Sequence, residues 1–358
     1  MNSLKDKILI VGGYGAVGSI VSKILTEKYP KKVIIAGRNK DKANDLINKS
    51  NIEALPIKID LESNYFDEIN FEEVHTAICC IEYLKNDNFI HSCIKNQVNY
   101  TELATSYEAY LRLTNYNDEV EKSGICLVPG VGLMPGLSGV FVQNAISRLN
   151  KINSVQSFVL LGLGENHGLD AIRWMMEYAN KTYTLKTEHG EELVSSFTNP
   201  RKEQLLNEKH SRKFYRFNFG DQHIIANSVK VNFAETRLAF DSSFVTWLMA
   251  VMKKINLLTK LSKIKPQTLK KWLTKFSFGS ENFGIQTHCY GENMAQIIYL
   301  AEGIKEAKAT GIIAAYTVSN LYQTNNKIGV KRLEEIIQFE EFVKHLKENQ
   351  INIKIKEV

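Results

Sequence analysis

An apolar run that meets a cluster of glycines, ILIVGGYGAVGSIVSKIL at residues 8–25, constrains this chain more than any other stretch. Ile8 to Val11 is uniformly apolar, which suits a strand buried on both faces. Gly12, Gly13, Tyr14, Gly15, Ala16, Val17 and Gly18 follow, and Ile20, Val21, Ile24 and Leu25 then recur at helical spacing. The order is strand, tight turn, helix. Glycine admits positive φ, lets backbone approach a pyrophosphate and lets a helix pack close to a strand. The helix start offers unpaired N–H groups and the positive end of its dipole to phosphate oxygens. These residues are the expected cradle of a dinucleotide. A glycine turn that binds nothing is the bland alternative, and the strand and helix on either side argue against it.

The second expected strand, Val33 to Ala36, ends in Gly37-Arg38-Asn39. An NAD site places a carboxylate near this strand end for the ribose 2′-hydroxyl, whereas an arginine accommodates the 2′-phosphate of NADP. Arg38 therefore points to NADP, with Lys40 and Lys42 adding charge nearby. Leu55 to Ile59 reads as a third strand, followed by Asp60 and Leu61 where adenine would lie. Val74 to Ile81 reads as the fourth, and Cys80 and Ile81 at its end are expected beside the ribose or nicotinamide. Cys79 and Cys80 also fit as small apolar filler.

With those residues in place, the chain resembles the saccharopine dehydrogenase family in the broad sense that includes saccharopine reductases and carboxynorspermidine dehydrogenases. VGGYGAVG with IIAGRN, then AICCIEYLKNDNFIHSCIKNQVNYTELA, VPGVGLMPGLSGV, and finally ATGIIAAYTVSNL with KIGVKRLEEIIQFEEFVKHL carry the resemblance. It implies an α/β fold: a Rossmann doubly wound parallel sheet plus a second α+β substrate or dimerisation domain with a mainly antiparallel sheet. It also implies an NADP(H)-dependent oxidoreductase moving hydride to or from a C=N/CH–NH substrate. The alternating runs from Lys181 to about Arg237 suit an antiparallel substrate or dimerisation sheet, and a homodimer is expected. The chain departs from the family pattern at Cys79 and Glu82-Tyr83, and at Tyr100-Thr101-Glu102, where the family has Tyr-x-Asp. By that correspondence Glu102 is a catalytic candidate.

The middle of the chain matches the family only loosely. Ser154 to Leu163 reads as a strand, broken by Gly164-Glu165-Asn166-His167-Gly168 before a helix from Leu169. His167, in a glycine-flanked turn with a pKa near working pH, is the preferred proton donor, with Tyr107 the other candidate. A hydrogen-bonded turn histidine is the alternative. Arg173 and Arg237 could clamp a carboxylate or serve as structural ion-pair partners. The expected organisation is a dinucleotide domain over 1–130, a substrate domain over 131–304, and helices over 305–358 that return to the first domain.

Between Asp241 and Glu281 there is no acid but eight lysines, in a chain whose net charge is only +6. Trp247, Met252, Ile255, Leu258 and Leu261 fall on one expected helical face, so residues 247–275 could meet an anionic membrane surface or an acidic carrier protein. The same face could instead pack within the protein or a dimer. A nucleic-acid role is not expected, because arginines are not interleaved with aromatics. Ile125 to Ser147 lacks charge, but Pro129, Gly130, Gly132, Pro135 and Gly136 would break a spanning helix. The polar start and five unpatterned cysteines suggest a cytoplasmic protein with free thiols and no metal site. Two alternative functions stay open. One is a C=O or C=C reductase acting on a lipid or carrier-linked substrate. The other is a non-catalytic NADP sensor or membrane-associated scaffold.

Overall fold

The computed structural model describes residues 5–81, 87–165, 169–187, 190–261, 264, 267–268, 279–323 and 327–358. The chain divides into two compact units, Met1–Gly132 with Thr310–Gln338, and Leu133–Ala309 with Phe339–Val358.

The first unit is built on β1 (Lys7–Val11), β2 (Val33–Gly37), β3 (Ala54–Lys58), β4 (Val74–Cys79), β5 (Asn99–Glu102) and β6 (Cys126–Val128), with a short strand Gly329–Val330 at one edge. From that edge the order is Gly329–Val330, β6, β5, β4, β1, β2, β3, and every pairing is parallel. The chain runs outward from β1 to β3, then crosses to start again at β4. The carboxyl ends of β1 and β4 thus flank the point where the strand order reverses, the usual crevice for a ligand in such sheets. Burial explains why β1 is apolar throughout. Ile8 and Ile10 pack with Val21 and Leu25 on one face, and Leu9 and Val11 with Ala77 and Phe89 on the other. Pro56, which cannot donate to a ladder, sits in the edge strand β3.

The second unit carries β7 (Ser154–Leu161), β8 (Thr182–Thr187), β9 (Gly190–Ser195), β10 (Arg201–Glu203), β11 (Arg212–Arg216), β12 (Phe233–Phe240), β13 (Asn282–Tyr290), β14 (Gln296–Ile304) and a final strand Asn352–Glu357. Its main sheet runs β10, β11, β12, β7, β13, β14, then Asn352–Glu357, and only β12 and β7 pair in parallel. β8 and β9 form a separate antiparallel pair. Side chains alternate across this sheet. The row Thr236, Ser157, Thr287, Tyr299 faces the helices, where Tyr299 stacks on Phe141 and Thr236 bonds Asp221. The next row, Glu235, Gln156, His288, Ile298, faces the other way.

Two segments differ from their expected form. Among the helices expected over 305–358, Ile337 is extended and separates Leu333–Ile336 from Phe339–Glu348. Residues 339–358 belong with the second unit, where Asn352–Glu357 extends the sheet beside β14. The lysine-rich stretch is likewise not one continuous amphipathic helix. Helix Ser243–Lys254 ends where Asn256 turns to φ 58°, and Leu257–Leu261 starts a new turn of helix. Leu258 is fully buried while Phe244, Trp247 and Ile255 are exposed, so the apolar residues do not share one fate. Most of 262–278 lies outside the described residues. Among the described residues no helix is long and apolar enough to cross a membrane.

Candidate functional site

The turn after β1 is shaped by what its glycines exclude. Gly12 has φ +73°, and a Cβ there would also press on Ile81 at 2.9 Å. A Cβ on Gly18 would lie 2.2 Å from the Gly12 carbonyl, so the helix Gly18–Lys28 starts against the turn only because residue 18 has no side chain. Gly15 is different. It is exposed, and among the described residues the only atom near its missing Cβ is the Gly12 oxygen at 3.1 Å. Two of these glycines serve the fold; the third leaves open approach to the backbone.

Ser22 donates its hydroxyl to the Gly13 carbonyl at 2.8 Å and pins the turn from beneath. Cys80 N–H donates to the Val11 carbonyl at 2.8 Å, which carries β4 one residue further and brings Cys80 and Ile81 against Gly12. Among the described residues the N–H groups of Ala16, Val17 and Gly18 donate to no protein acceptor. A helix start with unspent donors and no nearby acid in its first turn is built for an anion.

Tyr14 reaches from this turn to the end of β2. Its ring covers Gly37 so closely that a Cβ on Gly37 would sit 2.6 Å from it. Its hydroxyl accepts the Asn39 N–H at 3.0 Å, while the Asn39 side chain accepts from Lys42 N–H and caps the next helix, Lys40–Ser50. Arg38 is held between these two fixed residues with its own side chain exposed. Lys40 is less available than its place suggests, because Glu68 accepts from it at 3.3 Å. Ile59 N–H bonds the Gly37 carbonyl at 3.1 Å, which sets Asp60 and Leu61 beside the same strand end. Asp60 turns one oxygen to the Glu62 N–H at 3.0 Å, and Leu61 is buried in the core. The donor set fits NADP: backbone N–H groups for the pyrophosphate, and a guanidinium with no carboxylate in Gly37–Asn39 for the 2′-phosphate.

Glu102 is placed differently. It ends β5, opposite Cys79, and is 3% exposed. Tyr100 donates to one carboxylate oxygen at 2.8 Å and Arg112 to the other at 2.7 Å. Arg112 also donates to Asp87 at 3.0 Å, and Tyr116 to the other Asp87 oxygen at 2.7 Å. Burial pushes the Glu102 carboxyl up, with Arg112 and Tyr100 opposing it. Burial likewise pushes the Cys79 thiol up to about 12, and raises Cys80 well above an ordinary thiol, which makes both poor nucleophiles. His167, Glu82 and Tyr83 lie outside the described residues.

Residues 8–128 match the family model of the saccharopine dehydrogenase NADP binding domain. That match spans about a third of the chain. A stretch of 76 residues is also 37% identical to glutamyl-tRNA reductase from Methanosphaera stadtmanae, covering 21% of this chain but only 17% of that protein. Across 99% of the chain and 100% of the other, the fold matches saccharopine dehydrogenase (L-Glu forming) from Saccharomyces cerevisiae, with TM-score 0.69 at 14% identity. Homospermidine synthase from Legionella pneumophila, solved with NAD, matches over 99% of this chain and 92% of its own with TM-score 0.70 at 10% identity. At these identities the likeness is one of fold. The glycine turn and Arg38 both lie within the residues that match that model.

The second unit holds polar groups that sequence reading did not single out. Arg237 is spent on Glu235 at 2.8 and 3.0 Å, the structural pairing rather than a free clamp, and Arg173 is exposed. Asp221 is 1% exposed in the first turn of helix Gly220–Ser228. The Thr236 hydroxyl lies 3.2 Å from each of its oxygens, and burial raises its pKa to about 7. Nothing local in GDQHIIANS marks this carboxyl as buried; it becomes so only when the helix packs on β12.

Proposed function

We propose that the protein is an NADP(H)-dependent oxidoreductase that moves hydride between the nicotinamide and a C=N/CH–NH substrate. The observation that carries this reading is the set of unspent N–H donors at Ala16, Val17 and Gly18, with exposed Arg38 fixed nearby, inside a saccharopine dehydrogenase-type NADP binding domain. NADPH supplies the hydride; the protein supplies binding, orientation and electrostatics. In this reading the three N–H groups and Gly15 hold the pyrophosphate, Arg38 the 2′-phosphate, and Asp60 and Leu61 the adenine side. Cys80 and Ile81 form the wall next to Gly12, and their inert thiol and alkyl groups add no competing chemistry. Glu102, with both oxygens engaged, positions the end of β5 through Arg112 rather than moving a proton. An iminium carries its own positive charge, so its reduction needs little help from an acid; a neutral ketone would need a donor such as His167.

The test follows NADPH consumption with amine and 2-oxo acid pairs, and with each component alone. Oxidation only when both are present supports imine reduction. Oxidation by the carbonyl compound alone overturns it in favour of the C=O reductase reading. One observation favours a lipid or carrier-linked substrate for that second reading: Phe244 and Trp247 lie exposed 5.9 Å apart on the lysine-bearing helix Ser243–Lys254. Salt-dependent sedimentation with anionic vesicles would support it.

A further inference from the structure

The face of the second sheet that turns away from its helices holds an open polar cleft of about 450 Å³, lined by Arg201, Arg216, Gln156, Tyr290, Ser154 and Glu192 among others. We infer that this cleft is a binding site for a small carboxylate-bearing molecule. It lies wholly within the second unit and has no counterpart among the nucleotide-binding residues.

The argument begins with what the sheet spends to build this face. Glu235 is buried, and it accepts from Arg216 Nε at 2.7 Å as well as from Arg237. One carboxylate thus serves two guanidinium groups, so neither arginine's charge is matched by a carboxylate of its own. His288, next but one along the same row, is buried and held neutral, its pKa lowered to about 4 by burial and by Arg201. Gln286, Gln296 and Tyr290 surround its ring nitrogens at 2.9, 2.8 and 3.3 Å. An apolar row would be cheaper to bury than this network, since charges and amides lose water that protein contacts only partly replace.

The cationic donors on the cleft are also incompletely used. Arg216 gives Nε to Glu235, and among the described residues neither terminal nitrogen has a protein acceptor. Arg201 reaches from β10 to Gln156 on β7 at 2.5 Å, and this holds its guanidinium over the cleft. Arg216, with both terminal nitrogens unspent, and Arg201, whose guanidinium lies over the Phe158 ring, stand beside the Tyr290 hydroxyl and the Ser154 side chain and match the planar oxygens of a carboxylate. Glu192, exposed on the rim, disfavours a second negative group at that side and suits an amino group. A monocarboxylate or amino acid is therefore the chemical class, ahead of phosphate.

Calorimetric titration of the full chain with L-glutamate, succinate, acetate and inorganic phosphate, at constant ionic strength, tests the assignment. Saturable binding of a carboxylate is expected. Arg216→Met should weaken it by about tenfold or more, the loss of one charge-assisted contact. Because Arg216 also supports buried Glu235, the exposed Arg201→Met is the second variant, expected to weaken binding while leaving the thermal midpoint and NADPH affinity unchanged. No saturable carboxylate binding, or binding unaltered in Arg201→Met, overturns the proposal. Phosphate binding more tightly than every carboxylate overturns the stated ligand class.

Discussion

The carboxyl ends of β1 and β2 and the carboxyl end of β5 lie in one sheet, yet they use their polar groups in opposite ways. At the first, Ala16, Val17 and Gly18 keep N–H donors unspent and Arg38 stands exposed. At the second, Glu102, Arg112, Asp87, Tyr100 and Tyr116 are joined by hydrogen bonds of 2.7 to 3.0 Å, and both Glu102 oxygens are taken. A group waiting for a ligand and a group holding the fold can share residue type and strand position. What separates them is hydrogen-bonding capacity left over. A buried polar group with no partner is costly, so unspent capacity persists where water or a ligand satisfies it.

The strongest way to break this contrast is at Gly15 and Gly18. Gly15→Val should leave the fold intact, because among the described residues nothing but one carbonyl oxygen lies near its Cβ, and should abolish detectable NADPH binding by blocking approach to the turn. Gly18→Val should instead lower stability, since its Cβ would fall within 2.2 Å of the Gly12 oxygen. Circular dichroism melts and NADPH fluorescence distinguish the two. A Gly15→Val protein that still binds NADPH would show that the open backbone is not the cradle.

A buried carboxyl with no arginine sharpens the other side of the comparison. Asp221 has its pKa raised from 3.8 to about 7. A raised folded-state pKa means that the native protein binds the proton more tightly than the unfolded chain. Its stabilising contribution is therefore complete below about pH 4 and is lost as pH rises through about 7. Asp221→Asn should gain on wild type across that window by on the order of 4 kcal/mol. Urea melts at several pH values measure the difference, and a constant difference would mean that Asp221 is not desolvated as described.

Glu102→Gln should cost about 3 kcal/mol by leaving Arg112 with only Asp87, and should leave NADPH affinity unchanged. A loss of affinity without loss of stability would move Glu102 from the structural side of the comparison to the ligand side.

The glycine turn was legible in the sequence because its demands are local. Positive φ at residue 12, where a Cβ would also press on Ile81, and close approach at residue 18 suit glycine, and the flanking periodicity fixes where the turn lies. Arg38 was legible for the same reason, as the residue at a strand end. The role of Tyr14 was less so: its contact with Gly37 joins two strand ends, and no periodicity predicts it. The Arg201–Gln156 contact joins residues 45 apart through the order β10, β11, β12, β7, and a parallel pairing in an otherwise antiparallel sheet cannot be read from alternation alone. Arg237 was noticed and Arg216 was not, although the two face each other across β11 and β12. Only the registered partners reveal which guanidinium is spent. The addition of Asn352–Glu357 to the second sheet was hidden in the same way, in a pairing between distant segments.

Titration of the wild-type protein and Arg38→Asp with NADPH and with NADH tests the central claim most directly, because it asks whether the exposed guanidinium is held in reserve for a phosphate. The account predicts that wild type prefers NADPH, and that Arg38→Asp loses about 1.5 to 3 kcal/mol of NADPH binding while NADH binding is retained or improved. Equal affinity for both cofactors in wild type, or an unaltered preference in Arg38→Asp, would contradict it.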